Sequence, residues 1–178
     1  MSAEEQIKTY LDKLHDVRII RYFSFFLLGG GGAVTPFLNL FFARQGLDGT
    51  RIGWILALGS FITLFAAPFW TRIHSETKHP LFYFELSLFL AGLVSLVLAH
   101  QTMFLWLVLF YAIRVFLSAG HIPVLDILTL QITDGTDQEY GSVRWWGSFG
   151  WAVIVLGTGW IIQQTSMKSI FFLYAIFS

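Results

Sequence analysis

Two ionisable residues lie inside apolar stretches of this chain, Asp126 on one side of a short polar segment and Arg144 on the other. The polar segment centres on Gly135, with Asp126 nine positions before it and Arg144 nine positions after it. In an antiparallel helical hairpin these offsets give both side chains a similar depth, at most ~13 Å from the tip. We predict that the two form an ion pair or face one polar cavity. The alternative is an interfacial pair that reaches the membrane surface and only fixes the loop.

Trp151 follows Arg144 by seven residues, about two helical turns, and therefore lies deeper on the same helix face. Gly147 and Ser148 follow Arg144 by three and four residues and leave space beside its side chain. An arginine donates a planar fork of hydrogen bonds, and an indole stacks on the apolar side of a ring. The combination suits a ligand with hydroxyl groups and one apolar face, such as a sugar or a nucleoside. The alternative for Trp151 is ordinary packing between helices.

Arg114 lies near the middle of the same apolar stretch as Asp126, where a charge costs about 2.5 kcal/mol or more in a bilayer. Asp126 is twelve positions further on, ~18 Å along a helix axis, which is too far for a direct pair. Arg114 therefore needs a partner from elsewhere or a water-filled cavity. His121 shares its face and offers a group that titrates near neutral pH. The alternative for His121 is a hydrogen-bonded structural role.

The composition indicates what kind of element positions these residues. Hydrophobic residues make up 56% of the 178 residues and charged residues only 12%, too few to cover a soluble domain. The formal net charge is zero, so no basic surface points to nucleic acid. The absence of Cys excludes disulfides and thiolate metal sites. The first 18 residues are polar and charged, which is not the pattern of a cleavable signal peptide.

Apolar runs of about 20 residues are long enough to span a bilayer as helices. We predict spans at residues 19–43, 52–73, 80–99, 103–132 and 143–163, after an N-terminal tail of residues 1–18. A sixth run covers residues 169–178 and is too short to cross. The prediction is an all-α membrane protein whose transmembrane part, residues 19–178, belongs to a longer polytopic protein. For the tail, a solvated segment is favoured over an interfacial helix.

The distribution of Lys and Arg between the short loops predicts the orientation. One side carries Lys8, Lys13, Arg18, Arg21, Arg72, Lys78 and Arg144, and the other carries Arg44, Arg51 and Lys168. This bias places the N-terminus in the cytoplasm.

Four consecutive glycines at residues 29–32 lie inside the first span. They lack the Lys-Ser/Thr and the preceding strand of a phosphate-binding loop, so close helix packing is favoured over a bend beside a cavity. Pro36 follows and predicts a kink in the same helix. The sequence shows no nucleophile motif and no carboxylate-rich metal cluster, and we expect neither an enzyme nor a metal site.

The segment YGSVRWWGSFGWA (residues 140–152), preceded by Pro123 and Asp126, resembles the major facilitator superfamily. It is similar to the branch of lactose permease-like sugar, nucleoside and aromatic-acid transporters. Three earlier segments match the first helix, outer loop and second helix of that branch: TPFLNLFF, QGLDGTRIGWIL and AAPFWTRI. The acid of the sugar permease is a Glu, and Asp126 is one methylene shorter, so lactose itself is not implied.

The resemblance implies a twelve-helix protein of two six-helix halves, with this chain as the N-terminal half and its sixth helix incomplete. It implies alternating access around a midplane cavity in the plasma membrane. It assigns substrate contacts to Asp126, Arg144 and Trp151. Arg114 and His121 are added here as candidates for a cavity or coupling role.

The function implied is secondary active transport of a small polar organic solute, a sugar, nucleoside or aromatic acid. The coupling ion implied is the proton, with no other cofactor. The expected partners are the solute, the lipid bilayer and the second six-helix half. The alternatives are an exporter of the same fold, and a nontransporting six-helix scaffold or receptor half.

Overall fold

A computed structural model describes residues 3–134 and 137–178, with side chains from residue 17 onward. Every regular element in this described part is helical, which confirms the all-α prediction. The helices are α1 (Ala3–Val34), α2 (Leu38–Arg44), α3 (Gly49–Glu76), α4 (Pro80–Leu98), α5 (Phe104–Ser118), α6 (His121–Thr133), α7 (Tyr140–Gln164) and α8 (Ser169–Phe177), with a 3-10 turn at Thr35–Phe37 between α1 and α2.

Five segments of the described chain are long and apolar enough to cross a membrane. They are Val17–Arg44, Gly49–Glu76, Pro80–Leu98, Phe104–Thr133 and Tyr140–Gln164. Their outward faces carry large apolar side chains, including Trp54, Leu105 and Leu156, which are 70–77% exposed. An apolar surface of this extent is suited to lipid and not to water. The molecule is therefore a multi-pass membrane protein.

Helix α1 begins well before the first membrane-length segment. Its backbone is helical from Ala3, so the tail is a continuation of the first span and not an irregular segment. The reason lies in composition, because residues 3–18 contain good helix formers such as Ala, Glu, Gln, Lys and Leu, and neither Gly nor Pro. The side chains of residues 3–16 lie outside the described part, and the cytoplasmic location of the tail stays a prediction.

Pro36 interrupts the first span as predicted. It lies in the 3-10 turn Thr35–Phe37, between α1 and α2. Proline has no N–H to donate, and its ring clashes with the carbonyl of Gly32, one helical turn earlier. The helix therefore tightens at this point and resumes at Leu38.

The fourth span contains a break that the sequence analysis did not predict. Residues 103–132 were expected to form one helix, but α5 ends at Ser118 and α6 begins at His121. Trp70 of α3 packs so closely on Gly120 that any Cβ there would overlap it. The Trp70 indole N–H donates to the Phe116 carbonyl at 2.7 Å. This bond satisfies a backbone group at the break, where lipid offers no hydrogen-bond partner.

Helices α1 and α7 pack backbone against backbone. A Cβ at Gly32 would lie 3.0 Å from the Trp151 carbonyl oxygen, and a Cβ at Gly150 would overlap the Phe25 carbonyl oxygen. Small residues permit this close approach. The close-packing prediction for residues 29–32 is therefore confirmed at Gly32, and α7 is held in a fixed register on α1.

Candidate functional site

Arg144 and Asp126 form an ion pair across the α6–α7 hairpin. The Arg144 Nε lies 3.4 Å from the Asp126 Oδ1, and the two side chains are 29% and 33% exposed. Gly135, from which the similar depths of Asp126 and Arg144 were counted, lies outside the described residues. The geometry nevertheless selects the ion pair predicted from the spacing.

Tyr140, at the start of α7, is a partner of the pair that the sequence analysis did not single out. Its hydroxyl donates to the Asp126 Oδ1 at 2.9 Å. A signal was available in the sequence, because Tyr140 precedes Arg144 by four residues and so shares its helix face. One carboxylate oxygen thus faces both the guanidinium and the phenol.

Gly147 packs closely against Leu28 and Arg144, so the space predicted beside Arg144 is filled at this position. A Cβ at this position would lie 3.2 Å from the Arg144 Nη1 and would collide with the Leu28 side chain. The Nη1 atom is buried and has no hydrogen-bond partner among the described residues. The guanidinium therefore keeps a donor that neither Asp126 nor its other neighbours use.

Trp151 packs between helices and also faces a cavity. Its indole packs on α1, where a Cβ at Gly31 would lie 3.0 Å from the ring carbon Cζ3. It also lines a cavity together with Arg144. Packing against Gly31 holds the ring plane in place at the cavity wall.

Arg114 is buried, with 6% exposure. Its Nε donates to the Ser95 Oγ at 3.1 Å, and its guanidinium carbon lies 4.4 Å from the centroid of the Tyr174 ring. Contact with an aromatic face stabilises a cation by about 0.5–2 kcal/mol. No carboxylate in the described residues forms a salt bridge with it, and Asp126 pairs with Arg144 instead. Ser95 and Tyr174 carried no sequence signal, since they lie on α4 and α8, which are distant along the chain.

His121 is buried, and its Nε2 lies 3.2 Å from the Ser87 Oγ. Its ring packs against the ring of Phe84 in a T-shaped arrangement. This is the hydrogen-bonded structural environment offered as the alternative. His121 also lines the cavity.

One cavity of about 530 Å³ brings together four of the five residues singled out from the sequence. Its lining includes Arg114, His121, Arg144, Trp151 and Tyr174. Asp126 is not part of the lining and contacts the site through Arg144. The volume is within the range of small-molecule sites, about 300–1,000 Å³.

A second cavity, of about 290 Å³, lies against α3 and also includes Arg114 in its wall. Its other lining residues include Ser60, Thr63 and Tyr111, which carry hydroxyl groups. Thr35 and Ser118 line both cavities. Arg114 is thus placed where the two spaces adjoin.

Comparison with known proteins identifies the class of this molecule. The model of the MFS_1 like family matches residues 17–178. The chain belongs to this family of the major facilitator superfamily. The predicted resemblance is therefore confirmed at the level of the superfamily.

Two relatives illustrate the similarity. A maltose permease of Geobacillus stearothermophilus is 30% identical over 158 residues, which are 86% of this chain and 39% of that protein. The uncharacterized transporter YwbF of Bacillus subtilis (strain 168) is 25% identical over 168 residues, 90% of this chain and 42% of that protein. The chain spans about two fifths of the length of these curated relatives. No solved structure matches it.

Proposed function

We propose that this chain forms the substrate-binding half of a proton-coupled symporter for a small polar organic solute. The observation that carries the proposal is the single cavity lined by Arg144, Trp151, Arg114 and His121, with Asp126 paired to Arg144. Membership of a transporter family supports the same conclusion. The solute class is a sugar, a nucleoside or an aromatic acid, and one relative is named as a maltose permease.

In the proposed mechanism Arg144, which lines the cavity, donates hydrogen bonds to the solute from its guanidinium. Asp126 holds the guanidinium plane through its contact with Nε, and Tyr140 holds Asp126. Trp151 offers its ring to the apolar face of the solute. A donor, a fixed orientation and a stacking surface are the elements that a site needs to recognise a hydroxylated ring.

Alternating access requires a second wall opposite this cavity, and a second six-helix half is proposed to supply it. The relatives are more than twice as long as the segment they share with this chain, which supports this arrangement.

The Lys and Arg bias supports a plasma-membrane orientation with a cytoplasmic N-terminus. Reporter fusions after His15 and Lys78 should report the cytoplasm, and fusions after Gly49 and Thr165 the outside. The reverse pattern would contradict the orientation.

The transport proposal is tested by uptake into proteoliposomes that contain the full-length protein. The probes are maltose, uridine and 3-phenylpropionate, each with and without an inward proton gradient. We expect the gradient to drive accumulation of at least one probe, and a protonophore to abolish it. Uptake that ignores the protonophore but requires sodium would refute proton coupling. Efflux without uptake would establish the exporter, and no flux of any probe would favour the nontransporting scaffold.

A further inference from the structure

Arg114 carries a buried charge that no acid in the described part of the chain neutralises. Its partners there are a neutral hydroxyl, Ser95, and the face of a neutral ring, Tyr174. An arginine stays protonated at every accessible pH, so it cannot escape burial by losing its proton. Removing one partner of a buried charge pair is strongly destabilising, so a buried cation without an anion requires an explanation.

The charges around the cavity do not balance. Arg144 is matched by Asp126 at 3.4 Å, which leaves the positive charge of Arg114 as the excess. His121 adds no negative charge in either protonation state. In a site of low dielectric, one unmatched cation attracts one negative charge much more strongly than it does in water. The wall is therefore complementary to a monoanion.

The orientation of Arg114 leaves donors for such an anion. Ser95 takes the Nε, and the Tyr174 ring fixes the guanidinium plane. Among the described residues, the bond to Ser95 is the only hydrogen bond that the guanidinium makes, so the two Nη groups remain available. Arg114 lines both the cavity of about 530 Å³ and the cavity of about 290 Å³, so there is room for a ligand group beside this residue.

We propose that Arg114 is the specificity-determining residue of this site and binds the carboxylate of an organic monoanion. Its planar fork matches the two oxygens of a carboxylate. The remainder of the ligand then extends toward Arg144 and Trp151. A phosphate ester would bring about two negative charges to a site with one excess positive charge. The inference rests on the proposed function, since it names the class of solute that the same cavity takes.

The test compares probes that differ only in the carboxylate. Binding of glucuronate and glucose, and of 3-phenylpropionate and 3-phenylpropanol, is measured by equilibrium dialysis on the purified full-length protein. The acid of at least one pair should bind about tenfold to hundredfold tighter than its neutral partner, since a hydrogen bond to a charged group strengthens binding by about that factor. Glucose 6-phosphate is included as the phosphate probe and should bind no better than glucose.

Three variants assign the preference to its residue. Arg114→Gln should remove the preference for the acid and leave the affinity for the neutral partner within about threefold. Arg114→Lys keeps the charge but loses the fork and should retain an intermediate preference, which also guards against misfolding of the Gln variant. Arg72→Gln removes an exposed arginine that is not part of the cavity lining, and it should leave the preference for the acid unchanged.

Several outcomes would overturn the inference. One is a wild-type protein with no preference for any acid, as expected if an acid elsewhere in the full-length protein pairs with Arg114. The others are a preference that persists in Arg114→Gln, and tightest binding by glucose 6-phosphate. Proton-driven uptake of a neutral probe, in a protein without a preference for acids, would refute this inference and leave the proposed function standing.

Discussion

Two arginines line one cavity, and the protein stabilises them in opposite ways. Arg144 lies near the start of α7, is 29% exposed, and has an acid and a phenol within reach through Asp126 and Tyr140. Arg114 is almost fully buried, and its only partners among the described residues are Ser95 and the ring of Tyr174. The first guanidinium is oriented by a charge, and the second is oriented by neutral groups that leave its charge uncompensated.

This difference assigns two tasks to the two arginines: Arg144 orients a ligand through hydrogen bonds, and Arg114 attracts a ligand through its charge. A guanidinium already paired with a carboxylate has little net charge to offer, but it has a fixed plane and a free donor. A guanidinium without an acid offers its whole charge. We therefore interpret the Arg144 end of the cavity as the part that recognises the positions of the solute's hydroxyl groups. The Arg114 end is the part that recognises its negative charge.

The largest expected effect comes from variants that disrupt the ion pair by which Asp126 orients the Arg144 guanidinium. Arg144→Lys keeps the charge and loses the planar fork, and Asp126→Asn removes the charge that orients the guanidinium. Each change should weaken solute binding by the full-length protein by tenfold or more, because a hydrogen bond to a charged group is worth about 1.5–3 kcal/mol. Affinity is measured on folded protein with whichever uptake probe the wild type transports.

A matched control for that experiment is the exposed pair of Arg72 and Glu76, whose Nε and Oε1 lie 2.9 Å apart. Such a pair contributes about 0–1 kcal/mol, so Arg72→Lys should leave binding unchanged. Near-normal affinity in both Arg144→Lys and Asp126→Asn would refute the assignment of this pair to the solute-binding site. The pair would then be what the interfacial alternative described, a staple for the α6–α7 loop.

The contrast between the arginines also shows what the sequence is able to predict. Asp126, Arg144 and Trp151 lie on one hairpin, where residue spacing and helical periodicity place side chains relative to one another. Those rules recovered the ion pair and the shared face. Tyr140 was within reach of the same rules, because it precedes Arg144 by one helical turn.

The partners of Arg114 were beyond such rules. Ser95 on α4 and Tyr174 on α8 reach it only because those helices pack around α5. Sequence spacing carries no information about which nonadjacent helices become neighbours. The break at Gly120 is similar, since it depends on Trp70 of α3 packing into it. The all-α membrane fold, in contrast, followed from the length and polarity of the apolar runs.

A smaller effect is expected from the neutral support of Arg114. Ser95→Ala leaves the buried Nε without an acceptor, which costs about 1–3 kcal/mol. We expect a lower midpoint of thermal unfolding in detergent and a reduced preference for acids, since one of the two contacts that orient the guanidinium is lost. Ser24→Ala is the matched control, because the buried Ser24 hydroxyl bonds to the carbonyl of Ile20 in its own helix and Ser24 lines neither cavity. Equal unfolding midpoints for the two variants would show that Ser95 does not support Arg114.

The smallest effect is expected at Tyr140. Tyr140→Phe removes the bond from the hydroxyl to the Asp126 Oδ1 and leaves the ion pair with Arg144 in place. Because the carboxylate is one-third exposed, water replaces much of what is lost, and the net cost is about 0.5–1.5 kcal/mol.

Solute affinity in Tyr140→Phe should therefore fall by about twofold to tenfold, less than in Asp126→Asn. Tyr83→Phe is the control, since the Tyr83 hydroxyl makes no hydrogen bond within the described part of the chain. Combining Tyr140→Phe with Asp126→Asn sharpens the result, because Tyr140 acts through Asp126 and its loss should then cost less than it does alone. If the two losses simply add, Tyr140 contacts the solute itself, and the Arg144 end of the cavity contains a third ligand-binding residue.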